Sequence, residues 1–137
     1  MPDKIRVMIV ADHPIMLDGL RMTFAAQKDM EIVCEATDTT QILRDFEFCR
    51  PDVTIVDLQR PAGEGWRAVR TLRERFPGCA MVVLTTYPGE AAAAGNSNAA
   101  TLEVSKTASG VEIIVAARRA AQSGPGKLSI DAQMFRD

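Results

Sequence analysis

Apolar residues fall along this chain in two alternating rhythms. Short runs rich in β-branched and other apolar side chains occur at Ile5 to Val10, Ile32 to Ala36, Val53 to Val56 and Ala80 to Leu84, with a weaker one at Thr101 to Val104. Their length and composition predict strands. Between them the apolar residues return at helical spacing. Pro14 starts the first helix, which is expected to turn Ile15, Leu20 and Phe24 to one side. A second helix starts near Asp38, where Asp38 and Gln41 resemble a capping box, and carries Ile42, Leu43 and Phe46. A third runs from about Gly65 to Arg75, with Trp66, Val69, Leu72 and Phe76 near helical spacing, and stops before Pro77. The last is opened by the capping-box pair Ser109 and Glu112, with Val111, Ile114 and Val115 as its expected apolar face.

One inter-strand segment departs from this rhythm. Tyr87 to Ala100, "YPGEAAAAGNSNAA", holds helix-forming alanines between glycines and asparagines and almost no large apolar side chain, which predicts a short or mobile helix. After the last helix, Gly124, Pro125 and Gly126 signal a linker or turn. Strand and helix alternating five times argue an α/β fold with a mostly parallel sheet covered on both faces.

Composition narrows the function classes. A chain of 137 residues, 47% hydrophobic and 25% charged, matches one globular domain able to bury a core. Its formal net charge of −2 argues against general attraction to nucleic acid or anionic lipid. The arginines of the third helix (Arg67, Arg70, Arg73, Arg75) and of the last (Arg118, Arg119) therefore read as solvated faces or partner contacts. The N-terminal residues lack a signal-peptide apolar region and no apolar run approaches the roughly 20 residues of a membrane helix; a cytoplasmic protein with no membrane partner is expected. Cys34, Cys49 and Cys79 show no zinc-ligand spacing and are expected to be reduced, in or near the core. His13, the single histidine, reads as a helix-start residue.

In a parallel sheet the C-terminal ends of all strands share one edge, where ligands bind. Asp12 follows the first strand, Asp57 the third, Thr85 and Thr86 the fourth, and Lys106 the fifth. Asp12 alone leaves two readings open, a turn residue or helix cap on one side and a pocket ligand on the other. Jointly, two carboxylates, a hydroxyl and an ammonium suggest phosphoryl transfer to a carboxylate. Acidic side chains and a backbone carbonyl suit Mg²⁺, while metal, lysine and hydroxyl neutralise the transferred group's oxygens. An aspartate can itself be the nucleophile.

Four stretches carry a family resemblance: "IRVMIVADHPIMLDGLR", "RPDVTIVDLQRPAGEGW", "VVLTTY" and "KTAS". Over roughly Ile5 to Gly124 the chain resembles the receiver domain of bacterial two-component response regulators, in the NarL/FixJ-like (LuxR-type) branch. The resemblance implies a doubly wound, flavodoxin-like (CheY-like) five-stranded parallel sheet of strand order 2-1-3-4-5. It implies a receiver domain over residues 1–123, with 124–137 a linker or tail towards an output domain. It makes Asp57 the phospho-acceptor, Thr85 the switch hydroxyl and Lys106 the phosphate-pairing lysine. Asp12, Asp57 and the backbone carbonyl of Gln59 become the magnesium ligands. A sensor histidine kinase becomes the donor, and DNA a partner only through a helix-turn-helix domain outside this chain. A regulatory phospho-acceptor, promoting only its own phosphotransfer, is expected in place of an enzyme; homodimerisation stays open.

The chain also departs from that family pattern. Ala11 replaces the first of the family's acidic pair after strand one, implying a weakened Mg²⁺ site. Glu103 stands where the family commonly has Tyr or Phe, which rules out an aromatic flip. Arg60 replaces a usual Met, and the stretch from Thr85 to Lys106 is about one residue shorter than usual. These departures leave a second reading, a receiver acting as a protein-interaction module without phosphorylation. A third reading, a flavin enzyme of the same topology, is disfavoured because acidic Asp12 and then Pro14 follow strand one in place of phosphate-binding Gly, Ser or Thr.

Overall fold

Five strands, all parallel, form one sheet in the order β2-β1-β3-β4-β5. They are β1 (Ile5–Ala11), β2 (Met30–Ala36), β3 (Val53–Asp57), β4 (Met81–Thr85) and β5 (Thr101–Ser105). The structure, a computed structural model, describes residues 4–57, 62–86, 89 and 101–122, the side chains at 39 and 62–65 excepted. The expected strands are all present, with ends moved by one or two residues. Gln59 and Arg60, the expected helix within Tyr87 to Ala100 and the expected tail at 124–137 lie outside the described residues, apart from Gly89.

The central strands β1, β3 and β4 are largely apolar because both of their faces are covered. Alternation along each strand splits the core into two layers. Val7, Ile9, Ile55, Val82 and Leu84 point to one face, where α1 (Pro14–Ala25) contributes Leu20 and Phe24 and α4 (Gly110–Gln122) contributes Ile113, Ile114 and Ala117. Met8, Val10, Val56, Met81 and Val83 point to the other, against α2 (Thr39–Cys49) and α3 (Ala62–Arg75). There Ile42, Phe46, Trp66, Val69 and Leu72 are buried, as their spacing predicts. The described residues contain no helix long and apolar enough to cross a membrane.

Helix starts follow local chemistry. The Asp38 side chain accepts the Gln41 amide at 3.0 Å, and the Gln41 side chain accepts from the Thr37 amide at 3.2 Å. At α4 the Glu112 amide donates to Ser109 Oγ at 3.2 Å and the Ser109 amide to Glu112 Oε1 at 3.4 Å, the reciprocal pattern of a capping box. α3 starts three residues before its expected position at Gly65.

Three sequence expectations fail on packing. Ile15 is 77% exposed although Leu20 and Phe24 are buried, because five residues of helix turn through about 140° at 3.6 residues per turn. Val111 and Val115 are likewise exposed, and α4 instead lays Ile113, Ile114 and the small side chains Ala117, Ala120 and Ala121 against the sheet. Neither Arg73 nor Arg118 is merely solvated. Arg73 reaches Thr101 Oγ1 at 2.7 Å, tying α3 to the start of β5. Arg118 grips Asp29 through two nitrogens at 2.8 and 3.0 Å and Gln27 at 2.8 Å, tying α4 to the turn before β2. The cysteines are free and half-buried, as expected. Burial, aided by the neighbouring Cys49 thiol, pushes the Cys34 thiol up to about 12, and burial pushes Cys79 up to about 11; both stay protonated.

The Arg118 clasp makes a pH prediction. Its guanidinium holds Asp29 below the ordinary carboxylate value of 3.8. A depressed folded-state pKa stabilises the fold above the unfolded value, and that contribution is lost as pH falls through the folded one. Because both partners are substantially solvated, Arg118→Ala should lower stability at neutral pH by only about 0.2–1 kcal/mol. Urea unfolding of the two proteins should show that gap closing in acid, below the folded-state pKa of Asp29. A gap unchanged between neutral and acid conditions would assign the effect to Gln27 and packing alone.

Candidate functional site: an acidic and basic cluster at the C-terminal sheet edge

Strand register builds the site. β1 and β3 are neighbours, and their pairing sets Ala11 directly beside Asp57. The β3 and β4 pairing sets Asp57 beside Leu84, and β4 with β5 sets Thr85 beside Ser105. Asp12, Asp57, Thr85 and Lys106 therefore all reach one edge, although 94 positions separate the first from the last.

Asp57 is the most constrained of them. It closes β3 with its side chain at 0% exposure, a position where a carboxylate needs a compensating cation. Lys106 Nζ lies 3.4 Å from its Oδ1 and is itself only 15% exposed. That separation exceeds the roughly 2.7–2.9 Å of a tight charge-assisted hydrogen bond, so the contact is a looser ion pair. Lys106 is delivered there by its backbone, whose amide donates to the Thr85 carbonyl at 2.8 Å. The turn beyond it is closed by the Thr107 amide on Ser105 Oγ at 3.1 Å and the Ala108 amide on the Ser105 carbonyl at 3.0 Å.

Asp12 follows β1 directly and is half-buried. It is not the helix cap. The residue in that place is His13, extended at φ −110 and ψ 120, whose carbonyl accepts the Leu17 amide at 3.0 Å and whose side chain makes no capping bond. The Asp12 carboxylate thus stands one residue before the cap of α1, at the same edge as Asp57.

Thr85 behaves differently from the expectation of a hydroxyl directed at Asp57. It is 1% exposed, and its Oγ1 donates to Glu103 Oε2 at 3.0 Å. The other Glu103 oxygen accepts the Gly89 amide at 3.2 Å. Sequence reading singled out Glu103 only as a missing aromatic. The signal it lacked is register: Glu103 pairs with Val83, which sets it diagonally behind Thr85 on the same sheet face.

Among the described residues no group of three or more His, Cys, Asp and Glu side chains could enclose a metal ion. Two carboxylates at the ends of neighbouring strands suit a different kind of ion. Magnesium keeps several waters and takes one or two carboxylates, a donor set that Asp12 and Asp57 fit.

Comparison with known proteins agrees with this geometry. The response regulator receiver domain family matches residues 7–119. The chain belongs to this family. Relatives of this receiver domain include the transcriptional regulatory protein YhcZ of Bacillus subtilis (strain 168), 37% identical over 82 residues, which are 60% of this chain and 38% of that protein. The oxygen regulatory protein NreC of Staphylococcus epidermidis is 35% identical over 86 residues, 62% of this chain and 39% of that protein. The receiver domain thus spans about two fifths of the length of these relatives. Among solved structures, a LuxR-family response regulator from Aurantimonas sp. SI85-9A1 superposes with TM-score 0.76 at 25% identity, covering 98% of this chain and all of that one. The signal receiver domain of the response regulator NarL from Mycobacterium tuberculosis shares the fold, with TM-score 0.75 at 24% identity over 88% of this chain and 98% of that one. The transcriptional regulatory relatives and the LuxR-family structure place the receiver domain in the NarL/LuxR branch.

Proposed function

We propose that this receiver domain, over residues 1–123, accepts a phosphoryl group on Asp57 from the phosphohistidine of a sensor kinase and relays that state to an output domain joined through residues 124–137. In the transfer the donor's phosphorus–nitrogen bond breaks as a phosphorus–oxygen bond forms to an Asp57 carboxylate oxygen. The leaving imidazole keeps the electron pair and takes up a proton. Lys106, already facing Asp57, pairs with the oxygens of the transferred group, and the Thr85 hydroxyl supplies a hydrogen bond once it turns from Glu103. Asp12, Asp57 and the Gln59 carbonyl are the residues that would hold Mg²⁺. When bound, the ion neutralises charge on the transferring oxygens.

The observation that carries this reading is the Asp57 carboxylate, buried at a strand end and faced by the Lys106 ammonium at 3.4 Å. A receiver acting purely as a docking module has no need of a buried carboxylate and a lysine at this edge, since desolvating both costs more than an apolar pair of similar volume. YhcZ is a transcriptional regulatory protein by name, and control of transcription through a helix-turn-helix output domain is proposed here by that likeness.

Acetyl phosphate with Mg²⁺ provides the test. The intact mass should rise by one phosphoryl group, hydroxylamine should remove it as expected of an acyl phosphate, and peptide mapping should place it on Asp57. A chain that takes up no label, or carries it on a serine or threonine, would overturn the reading.

A further inference from the structure

Glu103 holds two donors at once. One oxygen takes the hydroxyl of Thr85, a residue 1% exposed at the end of β4, and the other takes the amide of Gly89 just beyond that strand. Gly89 adopts φ +90, a conformation that glycine reaches without strain, and its amide donates to Glu103 from there. A single carboxylate on β5 thus ties the hydroxyl at the end of β4 to the amide of Gly89.

A threonine hydroxyl has one proton to donate. It cannot serve Glu103 and a phosphoryl oxygen on Asp57 together. We infer that Glu103 is a positioning residue acting as an electrostatic latch: it keeps the Thr85 hydroxyl and the Gly89 amide gathered in the unphosphorylated domain, and it competes with the phosphoryl group for that hydroxyl. The inference rests on the proposed phosphorylation of Asp57. The two competitors are both anions. Phosphorylation takes the Asp57 side chain from one negative charge to about two at neutral pH and moves that charge onto the transferred oxygens, so the group attracts the Thr85 proton while repelling the Glu103 carboxylate that holds it. Loss of Thr85 removes a bond that helps to fix the orientation of that carboxylate, and its hold on Gly89 weakens in consequence. A charge on β5 then does what an aromatic side chain cannot do in this sequence: it reports the state of Asp57 to the chain beyond β4.

The experiment follows the Gly89 amide by hydrogen exchange and nuclear magnetic resonance in the parent, Glu103→Gln and Glu103→Ala, each before and after treatment with acetyl phosphate and Mg²⁺. Glu103 is half-buried on an edge strand, so both variants are expected to fold. Without phosphate, Glu103→Ala should lower Gly89 protection by about 10-fold, the scale of one charge-assisted hydrogen bond. Glu103→Gln, with a single carbonyl oxygen to offer, should lie between. On phosphorylation the parent Gly89 should lose protection towards the alanine variant's level, while Glu103→Ala should show no further change there and should take up label several-fold faster. A phosphorylated parent whose Gly89 amide does not move, or equal labelling rates in parent and Glu103→Ala, would overturn the latch while leaving Asp57 as acceptor. Absence of label from all three proteins would overturn the reading of Asp57 and the competition with it. A merely structural Glu103 would lower Gly89 protection in the variants but leave the parent's response to phosphate absent.

Discussion

Asp57→Asn should take up no phosphoryl group under conditions expected to label the parent to one group per chain. The amide nitrogen of asparagine is not nucleophilic and its oxygen carries no formal charge, so the bond to phosphorus cannot form at that position. Geometry makes rescue by a neighbour unfavourable as well. Asp12 also stands at this edge, but Asp57 is the carboxylate that closes β3 fully buried with the Lys106 ammonium 3.4 Å from its Oδ1. The fold itself should persist, because asparagine fills the same volume and removes a charge whose burial was costly. Lys106, 15% exposed, retains access to water when its partner is neutralised. Intact mass after acetyl phosphate treatment reads the first expectation, and far-ultraviolet circular dichroism the second. Label on the asparagine variant at the parent's level would displace Asp57 from its role, and peptide mapping would name the true acceptor.

Ala11→Asp should tighten Mg²⁺ binding by roughly 10 to 100-fold, the usual cost of losing a supporting group around a metal, here reversed. The structure supplies the reason to expect an effect of this size. Ala11 is 1% exposed and stands beside Asp57 in the sheet, so a carboxylate installed there is next to Asp57 and one residue from Asp12. Three carboxylates at one edge attract the ion more strongly than two. They also repel one another when the ion is absent, destabilising the charged, metal-free fold. The variant should therefore melt at a lower temperature than the parent without metal and regain most of the difference with Mg²⁺. Titration calorimetry and paired melting curves measure both arms. Equal Mg²⁺ affinities would mean that the ion is held away from the end of β1.

The pairing of Thr85 with Glu103 bears on how the domain is controlled as well as on how it folds. In the described structure the hydroxyl expected to meet a phosphoryl group is already engaged by an anion, and the same anion holds the Gly89 amide. Substitutions at 103 therefore test the proposed coupling, whereas substitutions at 57 test the proposed chemistry.

The alternation of short apolar runs with helical spacing was enough to determine the five strands, the parallel α/β class and the edge to which Asp12, Asp57, Thr85 and Lys106 belong. That much is local: strand and helix periods are written in neighbouring residues, and parallel connection sends every strand's C-terminal end the same way. Caps at Asp38 and Ser109 were legible for the same reason, since each partner lies three residues away. The faces of α1 and α4 were not. Ile15, Val111 and Val115 are as apolar as the residues that bury, and only the position of the sheet relative to each helix axis decides which side is covered. The clasp of Arg118 on Asp29 spans 89 positions and the bond from Arg73 to Thr101 spans 28, distances over which no sequence period operates. Asp12 could be read as a cap or as a site residue until the start of α1 gave the cap position to His13. Thr85 and Glu103, 18 residues apart, meet because β5 pairs beside β4 in one register out of several that its pattern would allow. A shift of one residue would turn Glu103 to the opposite face of the sheet, because side chains alternate with a period of two, and that choice belongs to the packed core as a whole.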